Sequence, residues 1–412
     1  MKNLIILTES FPFDGGEQFI ESEVEYWAKI NFDKVYIVPN SHPTISIRNY
    51  PSSIKVLEKP PVNKLFKFIF ILFVWCFDLF WKDFFYLIRS KKLNFNNIMV
   101  LVKAIVVTKL RVIGLKDVLK EIKGDVLIYS YWNDVDFYAA CELKKRGSVN
   151  KVISRSHGYD CYEERRKGYM PLKRQYKNLV DRVFLLSDSA KKYFKAQYNY
   201  DLEKLGIARL GVDIPQQKIV DIAQNNKIEV LSISNCIAIK RVDKIIEVLN
   251  KYSLIYKVQV EWTHIGSGEL FESLKQKSLL YMKNNHYFKA QFLGSMRNSD
   301  VKQNLAQHTY SFFINASESE GVPVSIMEAM SYGVPVIAPD IGGISDIVTS
   351  ETGYLLNSNP CIDDYVIAIH KVLSDSKYVK YRENAFKLVK DKYNRNKNYE
   401  SFINALSKIS NE

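Results

Sequence analysis

Short β-branched runs alternate with stretches of helical period along all 412 residues of this chain, and that alternation leaves few folds open. In the first half NLIILT (3–8), KVYIVP (34–39), DVLIYSY (125–131), KVISRSH (151–157) and RVFLLS (182–187) read as strands. In the second half EVLSIS (229–234), QVEWTHIG (259–266), AQFLGS (290–295), SFFINAS (311–317) and VPVIAP (334–339) do the same. Strands that are apolar throughout need cover on both faces, and the intervening VDKIIEVLNKYS and LFESLKQKSLLYM have the period of helices that supply it. The class is therefore α/β with parallel sheets. So long a chain exceeds one typical core, which predicts two domains. RLGVDIP ends at Pro215 and a polar stretch, QQKIVDIAQNNK, follows, so the boundary is expected there, between 1–215 and 216–394. Each domain is expected to be doubly wound and Rossmann-like, the two facing one another across a cleft. Open sheets of this kind take ligands at the carboxyl ends of their strands.

A composition of 47% hydrophobic and 25% charged residues is that of an ordinary globular protein. The formal charge of +13 favours an anionic partner. No basic run is long enough for a nucleic-acid tail, so nucleotide phosphates or an acidic membrane surface fit better. Cys76, Cys141, Cys161, Cys236 and Cys361 lie far apart with no CxxC pair, which argues against zinc and disulfides and fits a reducing compartment. The opening MKNLIILTESFPF has too short an apolar run for a signal peptide and reads as a buried first strand. A cytoplasmic location is the expectation. KLFKFIFILFVWCFDLFWKDFFYLI (64–88) is interrupted by Lys67, Asp78, Lys82 and Asp83, too soon for a membrane span. Its Trp and Phe, beside Lys64, Arg89, Lys91 and Lys92, match a helix lying on a membrane surface, peripheral on the inner face of the cell membrane. A buried helix pair is the alternative.

The densest chemistry is in SESEGVPVSIMEAMSYGVPVIAPDIGG (317–343). It leaves the carboxyl end of a buried strand. Gly321 lets the backbone approach a ligand, and Pro323 suits the first turn of the following helix. Ser325 then falls where free amides and the helix dipole attract an anion. Ile326, Met327 and Met330 face the sheet, while Ser325 and Glu328 share another face. Glu320 and Glu328 stand eight positions apart, with that anion-binding helix end between them. The spacing suits one carboxylate on a sugar's hydroxyls and the other on a ribose, with a diphosphate in the middle.

In the first domain Gly15 and Gly16 form a turn after strand one, which can bring amides to a phosphate or an acceptor oxygen. Glu17 is a candidate acceptor contact. His157 follows a strand and precedes a glycine, where an imidazole can bond a sugar hydroxyl; Asp160 and Arg155 are further candidates. No Asp-x-Asp segment is placed to hold Mg²⁺ on a diphosphate, and the histidines lack ligand spacing, so no metal is expected.

The stretch ESEGVPVSIMEAMSYGVPVIAPDIGGISDIV resembles the donor-site signature of family-four glycosyltransferases, the glycosyltransferase group 1 enzymes. These are retaining enzymes of the two-domain GT-B fold. RLGVD, IKRVDKIIEVL, WTHIGSGEL and FLGSMRNSDV agree in the same order, while YSYW and SRSHGYD resemble acceptor-domain segments of a bacterial surface-polysaccharide branch. The resemblance implies a catalytic set of Glu320, Lys240 and His157, with Glu320 at the donor sugar and Lys240 on the diphosphate. It implies donor binding by Glu328 on the ribose, by Arg241 and Asn235, and by Gly321, Val322, Pro323, Val324 and Ser325. Gly266, Ser295, Met296 and Gly16 complete that donor set. Gly15, Glu17 and Asp160 are left for the acceptor. A sugar from a UDP- or GDP-type donor would pass to a surface glycan or polyprenyl-linked acceptor without any cofactor. The final helix, about 395–412, would pack back on the first domain. Two departures stand out: Asn235 replaces a usual arginine, and Asp346 a usual glutamate. An epimerase or phosphorylase of the same fold, or a non-catalytic nucleotide-sugar-binding subunit, are the other readings.

Overall fold

The computed structural model describes residues 1–13, 17–41, 46–60, 62–216 and 227–412, with only the backbone of Gln18. It divides into two compact units, Met1–Arg209 with Tyr399–Glu412, and Leu210–Asn398.

The first unit holds β1 (Lys2–Thr8), α1 (Val24–Trp27), β2 (Lys34–Pro39), β3 (Ile54–Val56), α2 (Lys64–Leu72), α3 (Asp78–Arg89) and α4 (Phe95–Leu119). It continues through β4 (Asp125–Ser130), α5 (Val135–Lys145), β5 (Lys151–Ser156), α6 (Gly158–Cys161), β6 (Arg182–Leu185), α7 (Asp188–Tyr198) and β7 (Leu205–Ile207). Its seven strands lie in the order β3-β2-β1-β4-β5-β6-β7, all parallel. Side chains of β1 alternate between two cores: Ile5 and Leu7 point to one, Leu4 and Ile6 to the other. Each such side chain contributes about 1.5–3 kcal/mol by leaving water, so the apolar run is what places β1 in the middle of the sheet.

The second unit holds β8 (Lys227–Ile233), α8 (Val242–Tyr256), β9 (Gln259–Ile265), α9 (Phe271–Asn284), β10 (Phe288–Phe292), α10 (Asn298–Gln307) and β11 (Phe312–Ile314). Then come α11 (Val324–Ser331), β12 (Val336–Pro339), β13 (Gly353–Leu356), α12 (Ile362–Ser374) and α13 (Tyr378–Lys392), and α14 (Arg395–Asn411) begins here. The order β10-β9-β8-β11-β12-β13, again all parallel, repeats the pattern of the first sheet. Both are the doubly wound sheets that the strand-helix alternation predicts. From Tyr399 onward α14 belongs to the first unit, where Phe402, Leu406 and Ile409 share a core with Leu4, Ile6 and Trp27.

Strand order reverses between β1 and β4, and again between β8 and β11. At those points neighbouring crossovers run to opposite faces of the sheet, leaving a crevice at the strands' carboxyl ends.

The aromatic segment 64–88 does not form a buried helix pair. No residue of α2 is buried, and Phe68, Phe73, Trp75 and Phe85 are each more than half exposed. Phe95, Met99 and Val100 at the start of α4 continue the exposed apolar surface. Asp83 points inward instead of interrupting that surface. It accepts from Tyr169 Oη at 2.8 Å, Leu172 N at 2.7 Å and Gln175 Nε2 at 2.8 Å. Among the described residues no helix is long and apolar enough to cross a membrane.

Candidate active site

β11 stops at Ile314 because Asn315 turns the chain: its Oδ1 accepts from Ser317 N at 2.9 Å, and its carbonyl is held by Tyr365 Oη at 3.1 Å. The loop so formed delivers Glu320 to the crevice between β8 and β11, with only 7% of the residue exposed. Glu320 Oε1 accepts from Lys240 Nζ at 2.6 Å, Ser317 Oγ at 2.7 Å and Asn315 Nδ2 at 3.3 Å. No described residue donates to Oε2. Lys240 arrives from the other side of the switch point, at the end of the turn Ala238–Lys240 that follows β8. A backbone bond from Glu318 N to Ile239 O, 2.8 Å, ties the two loops together.

The paired glycines after β12 shape the same loop from below. Gly342 has φ +56°, and a Cβ there would lie 1.9 Å from Glu320 O. Gly343 N donates to Gly321 O at 2.8 Å, and a Cβ on Gly343 would strike Val322. A side chain at either position would displace Glu320, so the GG of DIGG is a steric requirement. Pro323 is the residue just before α11, one position earlier than its sequence predicts, and is buried, as is Val322. Val324 and Ser325, in the first turn of α11, remain partly open.

One turn into α11, Glu328 is 7% exposed. Asn298 Nδ2 donates to its Oε1 at 2.5 Å. Burial pushes this carboxyl's pKa up; the Asn298 amide and the charge of Lys302 pull it down, and Asp213 opposes them.

The loops after β8, β9 and β10 are knitted edge to edge. Ser234 N donates to Ile265 O, Cys236 N to Ser267 O, and Gly266 N to Gly294 O, at 2.8–3.0 Å. Gly266, at φ +142°, would place a Cβ 1.9 Å from Ser234 O. Asn235 is exposed on this rim, while Ser295 and Met296 follow Gly294 at the end of β10. Beneath it lies a buried relay with no motif to announce it. His264 Nδ1 meets Ser232 Oγ at 2.8 Å, and its Nε2 meets Cys236 Sγ at 3.3 Å. Burial pushes the His264 pKa down to about 4, so the imidazole is neutral.

Arg241 adopts φ +49°, unusual for a residue with a side chain. Its guanidinium is held by Glu318 at 2.6 Å and by both oxygens of Asp243 at 3.2 Å. Both of these partners lie on the same rim, so the guanidinium is held close to its own loop.

In the first unit the outcome differs. Gly15 and Gly16 lie outside the described residues. Glu17 is buried at φ +57°, and its carboxylate accepts from Glu9 N, Ser10 N, Phe11 N and Trp132 Nε1 at 2.6–3.0 Å. That set fills its acceptor capacity, so Glu17 fixes the loop after β1 rather than offering a carboxylate to an acceptor. Asp160 is likewise internal. It accepts from His157 N, from Asn133 N at 2.5 Å and from Ser156 Oγ at 3.3 Å, and burial pushes its pKa up to about 6. Arg155 is fully buried against Glu23 at 2.6 Å, and is no acceptor contact. His157 stacks on Tyr131, ring centroids 4.9 Å apart, with Trp132 at 4.7 Å. Burial, then Arg155, holds its pKa well below the usual histidine value, and Nε2 has no partner among the described residues. The imidazole is thus neutral, a state suited to hydroxyls. Asp134-Val135-Asp136, at the start of α5, is spent on ion pairs: Arg166 holds Asp134 at 2.5 Å, and Arg111 and Lys59 hold Asp136 at 3.5 and 3.8 Å.

The donor-side residues thus gather in the second unit, apart from Gly16; His157, Glu17 and Asp160 lie in the first. Sequence reasoning missed Asn315 in SFFINAS, Ser317 at the start of the quoted loop, and Asn298, which lies within FLGSMRNSDV but was given no role.

Residues 213–388 match the family model of glycosyl transferases group 1. Over 243 residues, 58% of this chain and 64% of the relative, the sequence is 29% identical to the O-antigen biosynthesis glycosyltransferase WbnH of Escherichia coli. Over 236 residues, 56% of this chain and 33% of the relative, it is 28% identical to the poly(glycerol-phosphate) alpha-glucosyltransferase of Bacillus subtilis. The alignments thus span less than two thirds of these relatives' own length. Among solved structures, the lipopolysaccharide outer core galactosyltransferase WaaB in its apo form superposes with a TM-score of 0.70 at 16% identity, covering 98% of this chain and 99% of that one. Anabaena Alr3699/HepE in complex with UDP and glucose gives 0.64 at 15% identity, with 98% and 99% covered. Likeness at such identity establishes the fold, which is GT-B.

Proposed function

We propose that this chain of the GT-B fold is a group 1 glycosyltransferase that moves a hexose-type sugar from a UDP- or GDP-type donor to a bacterial surface glycan or lipid-linked oligosaccharide, with retention at the anomeric carbon. The observation that carries this reading is the Lys240–Glu320 pair at the β8/β11 switch point, with Glu328 on the helix that leaves the same loop.

In this reading the donor's diphosphate lies between Lys240 and the open first turn of α11. As the bond from the anomeric carbon to the β-phosphate oxygen breaks, its electron pair stays on that oxygen, and Lys240 offsets the growing charge. The acceptor hydroxyl attacks from the same face, and its proton passes to the departing phosphate oxygen. Glu320 Oε2 takes the donor sugar's hydroxyls and faces the positive charge at the anomeric carbon. His157, neutral, bonds a sugar hydroxyl. Glu328 accepts from the ribose. The scheme calls for no metal and no cofactor.

The exposed apolar surface of α2, α3 and the start of α4 supports a membrane-borne acceptor. Lys64, Lys67, Lys82, Arg89, Lys91 and Lys103 are exposed around it, with Asp78 the exposed acid among them. Aromatic side chains ringed by cations suit the interface of an anionic bilayer, and we place the protein peripherally there. Lys92 is not among those cations, because Glu163 holds it at 2.6 Å.

A panel of UDP- and GDP-sugars read by thermal shift, with the product's anomeric configuration followed by NMR, tests the reading. One donor should raise the melting midpoint, and its sugar should appear on the acceptor with the configuration kept. No shift with any donor would refute it. Binding without release of nucleoside diphosphate would instead favour a non-catalytic subunit, a reading that the neutral Asn235 supports.

A further inference from the structure

A carboxylate as buried as Glu328 binds a diol well only if it keeps its charge and its orientation. α10 supplies both from one face. Asn298, its first residue, donates to Glu328 Oε1 at 2.5 Å, and Lys302, one turn on, adds positive charge. Lys302 is itself anchored by Asp213 at 2.6 Å, so its ammonium is fixed in place. The other titratable neighbour is Tyr332, which burial, then Asp213 and Glu328, keep a neutral phenol. No described residue donates to Glu328 Oε2. One oxygen is thus occupied and one is open.

We propose that Asn298 is the positioning residue of Glu328: it pins Oε1, so that Oε2 stands ready to accept from the vicinal hydroxyls of a nucleotide's ribose, with Lys302 as electrostatic support. The proposal rests on Glu328 being the ribose contact. An amide suits the task because it donates without competing for the site as a second ion. A lysine there would make a tight pair with the carboxylate, and an apolar side chain would leave it to take up a proton.

The test is Asn298→Asp, with Asn298→Ala beside it. At the first turn of a helix an aspartate is at least as favourable as an asparagine, because the dipole welcomes negative charge. If Asn298 served only to start α10, the aspartate variant would keep both its melting midpoint and its nucleotide affinity. As the positioning residue it should lose about 10-fold or more in affinity at pH 7.5 for whichever of UDP or GDP the wild type binds, with a lowered midpoint where the two carboxylates meet. Two carboxylates in contact share a proton and cannot both serve the diol. Asn298→Ala should lose less, and the acid limb of its affinity profile should move to higher pH.

The decisive comparison uses the 2′-deoxy nucleotide. Wild type should bind it about 10-fold more weakly than the ribonucleotide, the scale of one hydrogen bond to a charged group. Asn298→Asp should bind the two alike. A wild type that does not distinguish them refutes the ribose role of Glu328 itself. A wild type that does, with an Asn298→Asp variant that discriminates equally well, overturns the proposal alone.

Discussion

Lys240 Nζ lies 2.6 Å from Glu320 Oε1, a mostly buried ion pair that closes the gap between the loops after β8 and β11. Lys240→Ala should therefore fail twice. Free nucleoside diphosphate should bind more weakly, and turnover should fall at least ~100-fold, the scale of one lost transition-state contact. The melting midpoint should also drop, since Glu320 would keep only Ser317 and Asn315 as partners in a buried place. Calorimetry and steady-state rates on the variant check both, and unchanged turnover would remove Lys240 from the mechanism.

Phe68 and Trp75 are 60% and 56% exposed and stand on the surface assigned to the bilayer. The wild type should sediment with vesicles containing acidic lipid, and added salt should weaken that binding by screening the surrounding cations. A Phe68→Glu, Trp75→Glu double variant should lose about 10-fold or more of the partitioning with little change in melting midpoint, because neither side chain is buried. Equal partition of the wild type to neutral and acidic vesicles, or none to either, contradicts the assignment.

His264 sets an acid limit on the second unit. Burial lowers its pKa from 6.5 to about 4, so between those values the folded state binds fewer protons than the unfolded chain. Stability from this group is full above pH 6.5 and is lost as pH falls toward 4, by up to roughly 3 kcal/mol. Asp160 works in the opposite direction in the first unit. Its pKa is raised to about 6, so the folded state there gains as pH falls through 6. Melting curves from pH 7.5 to 4 should show a shallower acid decline in His264→Gln than in wild type; parallel declines would contradict the claim.

The sheets were legible because strands such as β1 and β2 are buried along almost their whole length, and their apolar runs permit no other use. β3, β7 and β13 escaped notice, being edge strands of three or four residues, too short to show a period. In the site, Glu320 stood out by its loop chemistry and its spacing from Glu328, whereas Lys240 came only with the family resemblance. Glu17, Asp160 and Arg155 misled for one shared reason. A polar residue at the carboxyl end of a strand looks alike in sequence whether it faces a ligand or is consumed by backbone amides and a buried partner. Asn298 lies within FLGSMRNSDV, yet nothing in that stretch marks its role, which exists only where α10 meets α11.

The two glutamates test the account most directly, because they should fail in different ways. If Glu328 holds the ribose, as proposed, it acts equally in ground and transition states, so Glu328→Gln should raise the donor KM and leave kcat comparatively intact. In the proposed mechanism Glu320 faces the developing charge, so Glu320→Gln should cut kcat while nucleoside diphosphate still binds as in wild type. Steady-state kinetics on both variants, with nucleotide binding measured by calorimetry, is the measurement. A kcat loss confined to Glu320→Gln is the expected result. Loss of donor affinity alone in both variants would contradict the catalytic role of Glu320.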